Sequence, residues 1–155
     1  MKRMRLRGER GGVAVEFAMI AVVLLMIVFG IIEFGILMFD KHVLTNASRE
    51  GARAGIVMRV PRLPDEDIKA IVIKYAEDHM VSFGASSTLD FNEDVNGWPG
   101  EDPGVWISPA EIDRVGALFG TELIVKVKYP FDFLVLSGFG LGPITLTAET
   151  RMRME

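Results

Sequence analysis

Glu16 stands at the mouth of a 23-residue, almost wholly apolar run (residues 17–39), five residues after Gly11 in the segment Gly11-Gly12-Val13-Ala14-Val15-Glu16-Phe17. A stretch of about 17–25 apolar residues crosses the hydrocarbon core as a helix, so a carboxylate at its edge needs a partner or a role. Two roles are open. Glu16 can neutralise a positive charge at the membrane boundary, or it can sit at headgroup level as a helix-start carboxylate favoured by the helix dipole. A second carboxylate, Glu33, follows 17 residues later. At 1.5 Å per residue it lies about 25 Å further along, nearer the far face of the bilayer than its middle. An ionised carboxylate costs about 2.5–3.5 kcal/mol at the bilayer centre and less near the boundary. Glu33 is therefore either a buried contact with another subunit or a side chain that snorkels or is protonated.

Other chemistry is thinly represented. The chain has no cysteine, which removes disulfides, thiol nucleophiles and thiolate metal sites. Its two histidines, His42 and His79, lack a second histidine at ligand spacing and read as polar surface residues on helices. Asn92, Asp94 and Asn96 precede Gly97 and place oxygen donors at alternate positions, as in the first half of a calcium loop. Pro103 stands where the bidentate glutamate belongs, so an Asn/Asp/Gly-rich turn is the reading the residues favour, with no metal and no cofactor. No nucleophile elbow, phosphate loop, HExxH helix or carboxylate pair emerges, and the expectation is that the protein is not an enzyme.

The elements that hold these residues follow from hydropathy and charge. Residues 1–11 carry five basic side chains and one acidic, net +4, leaving −8 for residues 12–155. A nucleic-acid partner calls for basic charge on the folded part, and here that part is acidic. The apolar run exceeds the 7–15 residues of a secretory signal and leads into Asp40-Lys41-His42, so it reads as a retained span. No proline interrupts residues 13–57, which predicts one long helix over 12–57 with its membrane part at about 17–39. Past Asp40 the positions Val43/Leu44, Ala47, Gly51 and Ala54 form a narrow stripe of apolar and small residues. Ala47, Gly51 and Gly55 at four-residue spacing let a second element approach closely, and the chain's own sheet is the expected occupant. Arg49, Glu50 and Arg53 point to a solvated charged face, with a subunit contact as the other reading.

Pro61 and Pro64 end the helix, and Asp65-Glu66-Asp67 supply the acidic first turn of a second one running to about Met80. Residues 84–109 read as a long surface connection with one short strand near Thr88, and Pro109-Ala110-Glu111-Ile112 as a helical turn. Alternation at Leu123, Val125, Val127 and Tyr129, and again at Ile144, Leu146, Ala148 and Thr150, predicts two strands paired antiparallel. Phe131, Phe133, Leu134, Val135, Leu136, Phe139 and Leu141 form an apolar cluster, for which a buried connection between strands is favoured over an exposed partner-docking or membrane-lapping loop. The fold class is α+β: a long N-terminal transmembrane helix continuing into a small domain (58–155) with a second helix and an antiparallel sheet.

Three spaced segments carry a family resemblance: Arg10-Gly11-Gly12-Val13-Ala14-Val15-Glu16-Phe17-Ala18, Ile32-Glu33-Phe34-Gly35, and Leu44-Thr45-Asn46-Ala47-Ser48-Arg49-Glu50-Gly51-Ala52-Arg53. Over residues 8–55 the chain resembles the TadE-like pseudopilins of the tight-adherence (Flp/Tad) pilus machinery. The resemblance implies a basic cytoplasmic leader (1–11) that a prepilin peptidase removes after Gly11. Gly12 becomes the new terminus, Phe17 follows the glutamate, and Glu16, fifth in the mature chain, compensates the α-amino group of a neighbouring subunit. It also implies assembly contacts through Glu33, Arg49, Glu50, Gly51 and Arg53. The implied setting is the bacterial inner membrane, single-pass, with the domain periplasmic. Implied partners are membrane lipid, the major Flp pilin, a companion pseudopilin and the inner-membrane assembly platform. The competing reading is a single-pass membrane-anchored extracytoplasmic binding module whose leader is not processed.

Overall fold

The computed structural model describes residues 9–57, 61–81, 104–110 and 120–154. Helix α1 (Glu9–Ile56) is a single 48-residue element, about 72 Å long at the usual rise. Its first half exposes apolar side chains on every face, from Val13 through Phe29. Its second half buries one stripe: Glu33, Leu37, Asp40, Leu44, Ala47, Ser48 and Ala52. Steps of three and four along a 3.6-residue helix keep these positions on one side, and that side meets the rest of the fold.

Helix α2 (Asp65–His79) follows Pro64, whose carbonyl accepts the Ile68 N–H at 3.2 Å. The three acids of its first turn complement the helix dipole. Ile68, Val72 and Ala76, spaced by four, are its buried face and lie against α1. The small-residue seam makes that approach possible. A Cβ on Gly51 would stand 2.3 Å from Val72 Cγ2, and one on Gly55 would stand 2.5 Å from Leu123 Cδ2 and 2.9 Å from Ile68 Cδ1. The seam is thus internal: at Gly51 its occupant is α2, and at Gly55 Leu123 of the sheet joins Ile68 of α2.

Strands β1 (Gly104–Ser108), β2 (Glu122–Phe131) and β3 (Ile144–Arg153) form an antiparallel sheet in the order β1-β2-β3. Leu123, Val125 and Val127 alternate inward and are matched across the ladder by Met152, Thr150 and Ala148. β1 corrects the reading of a surface connection at residues 104–108: Val105 pairs with Val127, and Trp106 on the opposite face pairs with Lys126 and lies 5.5 Å from the Lys128 ammonium. The strand proposed near Thr88 and the turn at Glu111 and Ile112 lie outside the described residues.

β2 runs back along α1 toward its apolar half. Leu123 meets Gly55, Thr150 on the neighbouring strand meets Ser48 through a buried hydroxyl pair at 2.7 Å, and Val135, just beyond β2, meets Glu33. This direction carries the β2–β3 connection to the end of the domain nearest the exposed apolar half of α1. There a 3-10 turn, η1 (Leu136–Phe139), closes on Gly140 at φ 89°, a left-handed conformation that glycine takes without strain. The apolar cluster is only in part a buried connection: Phe131 is buried and Phe133, Val135 and Leu136 are half-buried. Leu134, Phe139 and Leu141 are exposed, since the packing against α1 covers one side of this connection.

Candidate functional site

The described residues place two carboxylates at the junction where α1 leaves its exposed apolar half and enters the domain. Glu33 and Asp40 are seven residues apart, two helical turns, and so share the face turned to the domain. Both are buried, at 5% and 1% relative exposure. Each is engaged by backbone from a different part of the chain. The Val135 N–H donates to Glu33 Oε1, and the Leu136 N–H donates to Oε2 at 3.3 Å, so Glu33 caps the first turn of η1. The Val81 N–H, just past α2, donates to Asp40 Oδ1 at 3.0 Å. Buried carboxylates are tolerated when such donors replace water, and hydrogen bonds to a charged acceptor are worth about 1.5–3 kcal/mol. The two side chains therefore fasten the β2–β3 connection and the exit of α2 to the same helix.

A cavity of about 150 Å³ lies between these staples, lined by Phe29, Ile32 and Ile36 of α1 and by Tyr129, Phe131 and Leu134 of the sheet end, with Glu33, Asp40 and Asp132 at its polar margin. The Tyr129 phenol is held above its ordinary value of 10.0, first by burial and then by the nearby Asp40 and Asp132 carboxylates. Asp40 and Tyr129 were not singled out from sequence as site residues. The signal for Asp40 was its seven-residue offset from Glu33, which puts both on one face. Both carboxylates are engaged by backbone donors of other elements, and the arrangement holds those elements together.

The other sequence-derived residues sit apart from this junction. Gly11, Gly12, Glu16 and Phe17 lie on the exposed apolar half of α1, where a Cβ on either glycine would meet nothing within 4 Å. Arg49, Glu50 and Arg53 are exposed on the face of α1 opposite the seam, while Gly51 is buried against α2. Glu33 is buried, and its two oxygens accept the Val135 and Leu136 N–H groups of the chain's own loop. Asn92, Asp94 and Asn96 lie outside the described residues, and among the described ones no group of three His, Asp or Glu side chains is placed to hold a metal ion.

Residues 11–53 match the family described as TadE-like protein. This stretch is TadE-like. It takes in the exposed apolar half of α1, both junction carboxylates and most of the seam, and it ends before α2. The TadE-like stretch implies a pseudopilin-like role associated with the Tad pilus, and its apolar helix, long enough to cross a membrane, suggests membrane anchoring. No curated protein and no solved structure matches the chain.

Proposed function

We propose that the protein is a membrane-anchored pseudopilin subunit that primes or supports assembly of a Tad-type pilus and acts by assembly, without turnover. The observation that carries this reading is the TadE-like match at residues 11–53 on a helix whose first half is apolar and exposed all round. Such a surface needs lipid or the spans of other subunits. The basic segment ahead of the helix is the cytoplasmic leader, and residues beyond about Asp40 are periplasmic. A prepilin peptidase cuts after Gly11, which makes Gly12 the first residue and Glu16 the fifth. The mature span then assembles beside the major Flp pilin, a companion pseudopilin and the inner-membrane platform. Glu33 enters this picture as a residue that fixes the domain's attitude on the span, while Arg49, Glu50 and Arg53 offer an exposed charged face to a neighbour.

Leader processing tests the proposal. Intact mass and N-terminal sequencing of the protein, purified from membranes of cells with an active prepilin peptidase, should give a chain that begins at Gly12. Retention of Met1 in those cells, with the same mass in peptidase-deficient cells, would instead favour the unprocessed membrane-anchored binding module.

A further inference from the structure

The β2–β3 connection is apolar, uncharged and fastened to the span. Residues 133–148 contain no charged side chain in a protein in which 25% of residues are charged. Leu134, Phe139, Leu141 and Ile144 are 60%, 57%, 46% and 44% exposed, a contiguous apolar surface of the kind that soluble faces avoid. Its height is set by Glu33, which accepts the Val135 and Leu136 N–H groups. Glu33 lies six residues before the end of the apolar run at Phe39, about 9 Å along the helix axis. On the faces of α1 turned away from the domain, Ile31, Phe34, Met38 and Phe39 remain exposed beside and beyond this level. The loop's apolar surface is thus continuous with that of the span, at a depth inside the span's far end.

Backbone at such a depth is tolerated only where its polar groups are satisfied. Glu33 takes two N–H groups of the loop. Three more are closed within it: Gly138 to the Val135 carbonyl at 3.1 Å, Gly140 to Ser137 at 3.0 Å and Leu141 to Leu136 at 3.3 Å. A carboxylate in the outer part of a span is unfavourable by itself, and so are unpaired amides of a loop. Joined, each removes the other's cost.

We infer that the β2–β3 connection is a second membrane contact: its tip, through Leu134, Phe139 and Leu141, enters the outer leaflet beside α1, and its occupant is lipid. The domain therefore lies down on the bilayer at one fixed attitude instead of swinging on a stalk. This rests on α1 being a membrane anchor, and the two are tested separately in one experiment.

The absence of cysteine makes single-site spin labelling clean. The full-length variants Phe139→Cys and Leu141→Cys would be nitroxide-labelled and reconstituted in vesicles of phosphatidylethanolamine and phosphatidylglycerol. Val23→Cys on the span and Lys74→Cys on the exposed face of α2 serve as references. Collision rates with oxygen, which concentrates in lipid, are compared with those of a water-soluble nickel chelate. At 139 and 141 the oxygen-to-nickel ratio is expected to rise severalfold over that at 74, toward that at 23. A ratio at 139 and 141 equal to that at 74, with 23 lipid-like, overturns the loop contact and leaves the anchor standing. Labels at 139 and 141 shielded from both reagents would make the occupant protein and likewise overturn it. A water-like ratio at 23 overturns the anchor, and the loop contact with it.

Discussion

Tyr129 reports on the junction more directly than any other side chain, because its phenol is raised by burial and by Asp40 and Asp132. The fold favours the protonated phenol. This contribution to stability is therefore fully present below the unfolded value near 10.0 and is lost as pH rises through the higher folded value. The chain has two tyrosines, so Tyr75→Phe leaves Tyr129 as the sole source of tyrosinate absorbance, and the ring stacked on His79 is retained. Titrating that variant in detergent should give a midpoint above 10.0. Adding Asp40→Asn should lower the midpoint without returning it to the ordinary value, because the larger cause, burial, remains. A midpoint at or below the ordinary value in folded protein would mean that Tyr129 is open to water and that the junction is not closed as described.

Among the elements, α1 and α2 are joined by an approach so close that it leaves no room for a methyl group. Gly51→Ala gains about 1 kcal/mol of helix propensity but drives a Cβ into the stiff Val72 side chain, and overpacking of this kind costs about 1–3 kcal/mol. The expected outcome is a net loss of up to about 2 kcal/mol in denaturant unfolding of the solubilised protein. Val72→Ala should be destabilising alone and should relieve Gly51→Ala in the double variant, so that the two effects sum to less than their separate costs. Simple additivity would place the helices further apart. This seam was half legible in the sequence: the Ala47, Gly51 and Gly55 spacing announced a close neighbour, while which element fills it is a tertiary fact. The helices, β2 and β3 were legible because their periods of 3.6 and 2 are carried by their own residues. β1 was not, since Gly104–Ser108 is five residues between Pro103 and Pro109 and becomes a strand by pairing with β2. The loop after β2 misled for a related reason: apolar composition predicts burial only where another layer is present to cover it.

At the scale of the whole molecule, one 48-residue helix serves two environments, and the two carboxylates within its TadE-like stretch that mark the halves have different tasks. Glu33 is satisfied inside its own chain. Glu16 lies on the exposed apolar half of α1, where no described residue supplies it with a hydrogen bond or ion pair. If leader removal exposes an α-amino group at Gly12, a neighbouring subunit's Glu16 is the complementary charge at the same membrane boundary, and pairing there offsets the cost of holding both. Glu16→Gln removes the charge and keeps the shape. Insertion should be unimpaired, since a neutral side chain enters the bilayer more readily than a carboxylate. Assembly should fall severalfold, read as pilus number and as subunit crosslinking in strains matched for mature protein. Mature protein has to be quantified first, because the same substitution can slow cleavage after Gly11. Equal assembly at equal mature protein would reduce Glu16 to a helix-start carboxylate held by the dipole, and pseudopilin contacts would then have to be sought on the exposed Arg49, Glu50 and Arg53 face.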